Sequence, residues 1–138
     1  METELLDLKG ADSTLVAEEA VKILLEKKGV DVRLYDVREK SPITDYYINV
    51  TGRSSTQVAA LADDVVHLLG ERGLECARVE GRRDNAWLLV DFTDVIVNVF
   101  DRPSREFYDL DRHLPADSSV DISYLVKIVD DKYDLSKK

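Results

Sequence analysis

Asn85-Ala86-Trp87-Leu88-Leu89-Val90-Asp91-Phe92-Thr93-Asp94-Val95-Ile96-Val97-Asn98-Val99-Phe100 decides the reading of this chain. Apolar residues alternate on both sides of a short break at Phe92-Thr93, which predicts two antiparallel strands joined in a hairpin. With Asp91 facing Asp94 across a two-residue loop, Val90 pairs with Val95, Leu89 with Ile96, Leu88 with Val97 and Trp87 with Asn98. Side chains alternate between sheet faces. One face then carries Leu88, Val90, Val95, Val97 and Val99, a core. The other carries Trp87, Leu89, Asp91, Asp94, Ile96, Asn98 and Phe100. Opposed carboxylates cost a few tenths to about 1 kcal/mol, and an indole among aliphatics and acids describes a surface shaped for a partner. A competing reading is a second core beneath a covering helix. Asp91, Asp94 and Asn98 weigh against it, because a dry core would have to satisfy each of them.

Outward from the hairpin, Val16, Ala20, Ile23 and Leu24 recur at helical spacing between Leu15 and Lys28. Asp12 or Ser13 supplies the N-cap and Gly29 the stop. Val32 to Val37 reads as a strand. Asp45 to Thr51 reads as another, with Tyr46, Ile48 and Val50 on one side and Tyr47, Asn49 and Thr51 on the other. Ser54-Ser55-Thr56-Gln57 fits a capping box, and Val58, Leu61, Ala62, Val65, Leu68 and Leu69 form the stripe of the helix behind it. Glu75 to Val79 is a short strand, and Pro103 opens a short helix. These elements predict an α/β (α+β) domain, a mixed sheet of about five strands flanked by helices, with no internal repeat. Beyond Pro115 the segment from Val120 to Val129 is apolar enough to pack as an added strand or helix. Asp130 to Lys138 looks solvated.

The chain has 138 residues and a net charge of −9, with acids spread along its length. It is long enough for one domain with a core that needs no disulfide or metal. An acidic surface is ill suited to naked phosphate backbone but suits a basic protein, including one that sits on RNA. Cys76 is the only cysteine, so no disulfide framework or thiolate metal site is expected. No run is apolar enough to cross a membrane and the first residues lack a basic targeting start; a cytoplasmic protein is expected.

Other candidate chemistry is sparse. Thr51-Gly52-Arg53-Ser54-Ser55, between a strand and a helix N-terminus, could cradle a phosphate. Without a Walker lysine or a multi-glycine fingerprint it reads better as a turn plus a cap. Asp91 and Asp94 could hold magnesium but make a poor cage alone. Asp63 and Asp64 read as solvated helix surface, His67 as a surface pair with Asp63, and Cys76 as a small buried residue within a strand. His113 has no nucleophile or second histidine to work with. Arg78, Arg82 and Arg83 are the only basic concentration. No catalytic residue, metal site or cofactor is expected.

These segments resemble the Iojap-like ribosomal silencing factors, the RsfS family. The residues that carry the resemblance are Asp45-Tyr46-Tyr47-Ile48, Thr51-Gly52-Arg53-Ser54-Ser55, Gln57-Val58, Ala62-Asp63 and Glu80-Gly81. With them go Trp87 to Phe92, Asp94-Val95, Val97, Val99-Phe100, Arg105-Glu106-Phe107-Tyr108 and Leu110-Asp111. The resemblance takes in residues 12–117, leaving 1–11 and 118–138 as extensions. It implies a non-enzymatic regulator that binds ribosomal protein fourteen of the large ribosomal subunit and obstructs joining of the small subunit, lowering translation when nutrients are scarce. Organelle relatives take part in large-subunit assembly. The implied fold is related to nucleotidyltransferases without their catalytic carboxylates and is often homodimeric. Trp87, Leu89, Asp91, Asp94, Ile96, Asn98 and Tyr47 are then the expected partner-binding residues, with no membrane and no free nucleic acid among the partners. Two rivals stand beside this reading. One is a nucleotidyltransferase using the Thr51–Ser55 turn and magnesium on Asp91 and Asp94; the other is an assembly factor touching ribosomal RNA through Arg78, Arg82 and Arg83. The chain departs from the family pattern where relatives usually have glycine at Thr93, histidine at Asn98, and leucine-tryptophan at His113-Leu114.

Overall fold

A computed structural model of the protein describes residues 7–81 and 83–133. Helix α1 (Ser13–Glu26) starts on Asp12, whose carboxylate accepts the Thr14 N–H, and presents Val16, Ala17, Ala20, Val21, Ile23 and Leu24 to the interior. It is followed by β1 (Val30–Asp36) and β2 (Tyr46–Thr51). Helix α2 (Ser55–Glu71) is capped by the Ser54 hydroxyl, which accepts the Gln57 N–H. Gln57 returns the favour one residue earlier than the standard box, its Oε1 accepting the Arg53 N–H at 2.5 Å. Three antiparallel neighbours follow, β3 (Arg78–Glu80), β4 (Trp87–Asp91) and β5 (Val95–Phe100). Then come α3 (Arg102–Tyr108), with Pro103 in its first turn, and α4 (Leu110–His113).

The segment after Pro115 supplies a further strand and helix. Two-residue β6 (Ser119–Val120) pairs with Leu34 and Tyr35 of β1, and α5 (Ser123–Lys132) lies against α1, burying Leu125 and Val129. The sheet therefore has six strands rather than five, in the order β3-β4-β5-β2-β1-β6. Only β2 and β5 run parallel. At the other end of the chain, Leu8 is fully buried in the core and its N–H donates to the Arg72 carbonyl.

One sheet face carries Leu34, Tyr46, Ile48, Val50, Leu88, Val90, Val95, Val97 and Val99, packed under α1, α2 and α5. The core side of the hairpin was thus legible, but its register was not. Trp87 pairs with Phe100, Leu88 with Val99, Leu89 with Asn98, Val90 with Val97 and Asp91 with Ile96. The loop is Thr93-Asp94 instead of Phe92-Thr93, a shift of two residues on the second strand. A shift of two preserves every face, because the side-chain period is two. What it removes is the opposition of Asp91 and Asp94. The shift follows from Phe92, which is buried in the core rather than placed in the loop. One further correction concerns the edge. Strand β3 begins at Arg78, so Cys76 lies in the irregular segment before it, half-buried. On α2, His67 lies on the exposed face within 3.2 Å of the Glu71 carboxylate.

Thr93 has φ +78°, a conformation in which a β-branched residue is strained. The Asp94 N–H reaches the Phe92 carbonyl at 3.0 Å, closing a tight three-residue turn, and the Asp91 carboxylate accepts the Thr93 N–H at 2.7 Å. A left-handed conformation costs a side-chain-bearing residue about 1–2 kcal/mol, partly offset by the chain entropy that glycine loses on folding. Thr93→Gly is therefore expected to stabilise the protein by about 0.5–1 kcal/mol. In urea unfolding the midpoint should rise with an unchanged slope; a lower midpoint would place the strain elsewhere.

Candidate functional site

The second sheet face is organised in rows across the strands. Leu89, Asn98, Asn49 and Arg33 form one, and Asp91, Ile96, Tyr47 and Tyr35 the next. Helices α3 and α4 fold back over the part of this face made by β1 and β2. Their arrival explains how polar residues on interior strands are tolerated. Asn49 is 0% and Asn98 1% exposed, yet both amides are partnered. The Trp87 indole N–H donates to Asn98 Oδ1 at 3.0 Å, Asn98 Nδ2 donates to Asn49 Oδ1 at 3.1 Å, and Asn49 Nδ2 donates to Asp111 Oδ1 at 3.0 Å. The Tyr35 hydroxyl donates to the same carboxylate at 2.7 Å.

Asp111 is paired in turn with Arg105, whose Nε lies 3.0 Å from Oδ2. Arg105 is 7% exposed and fully engaged. It also donates to the Asp31 carbonyl at 2.8 Å and to Thr51 Oγ1 at 3.0 Å. Burial alone would raise the Asp111 carboxyl, but hydrogen bonds from Arg105, Asn49 and Tyr35 outweigh it and hold it down at about 2. Burial, and then the bond to Asp111, push the Tyr35 hydroxyl up to about 12. Asp111 is therefore an anion and Tyr35 a neutral donor at any physiological pH.

Where α3 ends, aromatic rings gather. Trp87 lies between Phe100 (ring centroids 5.0 Å apart) and Tyr108 (4.8 Å), and Tyr108 meets Phe107 edge-on at 5.0 Å. Phe107 is 81% exposed, unusual for a residue of that size. Gly81 supports the site from the edge: its φ is +94° and a Cβ there would collide with the Trp87 carbonyl.

Of the residues expected at a partner surface, Trp87, Leu89, Asp91 and Tyr47 are half-buried and Asp94 is exposed. Ile96 and Asn98 lie beneath the surface, out of direct reach of a partner, with Asn98 holding the indole. The Asp91 carboxylate is engaged locally, accepting the Thr93 N–H and lying 3.5 Å from Arg78. Phe107 and Tyr108, Asn49, Tyr35, Arg105 and Asp111 belong to the same assembly and were not read as site residues. Their local signals were the run Arg105-Glu106-Phe107-Tyr108, whose aromatics do not follow a core-facing stripe, and the pair Leu110-Asp111, both among the residues that carry the resemblance.

The alternative sites are occupied by internal contacts. A cleft of about 530 Å³ opens beside the Thr51-to-Arg53 turn, lined by Arg33, Arg53, Arg102 and Arg105 together with Asp31, Glu106, Asp109 and Asp111. Arg33 pairs with Asp31, Arg102 with Glu106, and Arg105 with Asp111. The Ser54 hydroxyl serves as the cap and Thr51 Oγ1 accepts from Arg105. Among the described residues, no cluster of three or more His, Cys, Asp or Glu side chains is placed to hold a metal. Arg78 is paired with Glu80 and faces Asp91, Arg83 is exposed, and Arg82 lies outside the described residues. No helix among the described residues is long and apolar enough to cross a membrane.

Comparison with known proteins places these features in a family. The family model for ribosomal silencing factors during starvation matches residues 11–134. A ribosomal silencing factor of Haemophilus influenzae is 41% identical over 85 residues, covering 62% of this chain and 83% of that protein. The chloroplastic Iojap protein of Zea mays is 30% identical over 101 residues, 73% of this chain and 44% of its own. A crystal structure of a Chromobacterium violaceum protein is similar with a TM-score of 0.71 at 31% identity, covering 74% of this chain and 85% of that one.

Proposed function

The chain belongs to the RsfS family of ribosomal silencing factors, and from that premise we propose that its aromatic sheet face docks on ribosomal protein fourteen of the large subunit and so blocks joining of the small subunit. The observation that carries this reading is Trp87, half-buried and held at a fixed angle by Asn98, with Tyr108 and the exposed Phe107 continuing its surface. Aromatic anchors of this kind dominate binding energy at protein interfaces. A net charge of −9 favours encounter with a basic ribosomal protein, and apolar burial under the rings supplies residence time. The mechanism is steric: a body seated on one ribosomal protein excludes the opposing subunit with no bond made or broken. The same reading makes the protein a cytoplasmic repressor of translation rather than an enzyme, with a second copy of the chain as a possible partner in solution.

Cosedimentation with purified large subunits tests it. Wild type should pellet with them and prevent their rejoining with small subunits in a light-scattering assay. Asp94→Lys should reduce the association rate and its salt dependence, since Asp94 is exposed at the hairpin tip. Asp91 is a poorer probe, because reversing its charge would also disturb the loop it holds. Wild type remaining in the supernatant would sink the proposal.

A further inference from the structure

The hydrogen bonds that hold Trp87 have a fixed direction. An indole N–H can only donate and an ionised carboxylate can only accept. Asp111, held as the anion by Arg105, therefore obliges Asn49 to turn its NH₂ toward it and its oxygen toward Asn98. Asn98 must then turn its NH₂ toward Asn49, which leaves its oxygen facing the indole N–H. Each amide has one workable orientation, and the chain of contacts runs unbroken from α4 across β2 and β5 to β4. Segment 102–113 thus reaches Trp87 twice, directly through Tyr108 and indirectly through Asp111.

We propose that Asp111 is the positioning residue of the docking face: it latches α3 and α4 onto the sheet and, through Asn49 and Asn98, fixes the Trp87 indole in the orientation a partner meets. The proposal rests on the reading of the Trp87 face as the docking surface. Its physical content is pre-organisation. A ring already held in its bound rotamer loses less side-chain entropy on association. Asp111 is suited to the role because its two oxygens accept from Tyr35, Asn49 and both Nε and a terminal nitrogen of Arg105. An amide at the same position offers one acceptor oxygen and would point N–H groups at a donor.

Trp87 is the only tryptophan in the chain, so intrinsic fluorescence of the free protein reports on this ring alone. The experiment compares wild type with Asp111→Asn, with Asn49→Ala, which cuts the relay and leaves the Arg105–Asp111 pair intact, and with Val129→Ala as a control in the distant α5 core. Emission and anisotropy decay are measured on each full-length protein, and affinity for purified large subunits is measured with a dye-labelled sample. Asp111→Asn and Asn49→Ala should both red-shift the emission, speed local depolarisation and weaken binding about tenfold, while Val129→Ala changes neither signal. Unchanged fluorescence in Asn49→Ala would overturn the relay. A fluorescence change that leaves affinity untouched would overturn the positioning role of Asp111 in docking, since the ring's orientation would then be irrelevant to binding. Should wild type itself fail to bind, the proposed function falls, and with it the docking role of Asp111; the fluorescence comparison still decides whether the relay holds the ring.

Discussion

Replacing Trp87 by alanine should lower affinity for the large ribosomal subunit by about thirtyfold or more, the equivalent of about 2 kcal/mol for a central aromatic anchor. Two losses combine in that figure. The indole provides the bridge between Phe100 beneath and Tyr108 beside it, with centroid separations of 5.0 and 4.8 Å; without it the apolar surface at the centre of the face becomes a hollow. Asn98 Oδ1 also loses its donor in a position where the residue is 1% exposed. Leaving a buried acceptor unpartnered costs about 1–3 kcal/mol, so some of the effect will appear as stability. Trp87→Phe separates the two, keeping a ring while removing the N–H, and should weaken binding less than the alanine variant. Binding is read by cosedimentation and folding by circular dichroism at the same temperature. A folded Trp87→Ala protein that pellets like wild type would move the docking surface to another face of the molecule.

Arg105→Leu should be the most damaging single change to stability, lowering the unfolding free energy by about 3–5 kcal/mol and the melting temperature by about 10 °C or more. The reason is asymmetry. The guanidinium is 7% exposed and satisfies the Asp31 carbonyl, Thr51 Oγ1 and both oxygens of Asp111. Leucine replaces the stem and none of those donors, and it leaves the Asp111 carboxylate covered and without its counter-ion. Acid unfolding gives an independent check. In wild type the Asp111 carboxyl sits at about 2 against an ordinary value of 3.8. A depressed carboxyl adds stability that is fully present above the unfolded value and disappears as pH falls from about 3.8 through about 2. In Arg105→Leu burial acts without the opposing guanidinium, the folded value rises, and this part of the acid dependence should shrink or change sign. A variant that melts within a few degrees of wild type would show that the α3–α4 segment is held by its aromatic contacts alone.

How much of this was legible in the sequence differs between the two faces of one sheet. Val90 and Val97 were placed in the core although the pairing register was read two residues out, because a two-residue slip cannot move a side chain to the other face. The helix starts at Asp12 and Ser54 and the proline at the head of α3 announced themselves through local capping chemistry. Phe92 misled the loop assignment because next to Thr93 it could be taken either for a turn residue or for the last core residue of a strand.

On the second face the same local logic had no purchase. Asn49 and Asn98 look like surface residues in any strand pattern, and whether they are exposed or buried depends on what arrives to partner them. What arrives is Asp111, 62 residues after Asn49 and 76 after Tyr35, together with Arg105. The sequence by itself determined the elements from α1 to α3, their order, the apolar face and the family, all of which follow from periodicity, caps and ordered short motifs within a few residues of one another. Only the tertiary structure decided that α3 and α4 return to cover part of the other face, bury its amides and complete the aromatic surface around Trp87. A buried polar network is specified by which distant donors meet which acceptors, and that meeting exists only once the chain has closed on itself.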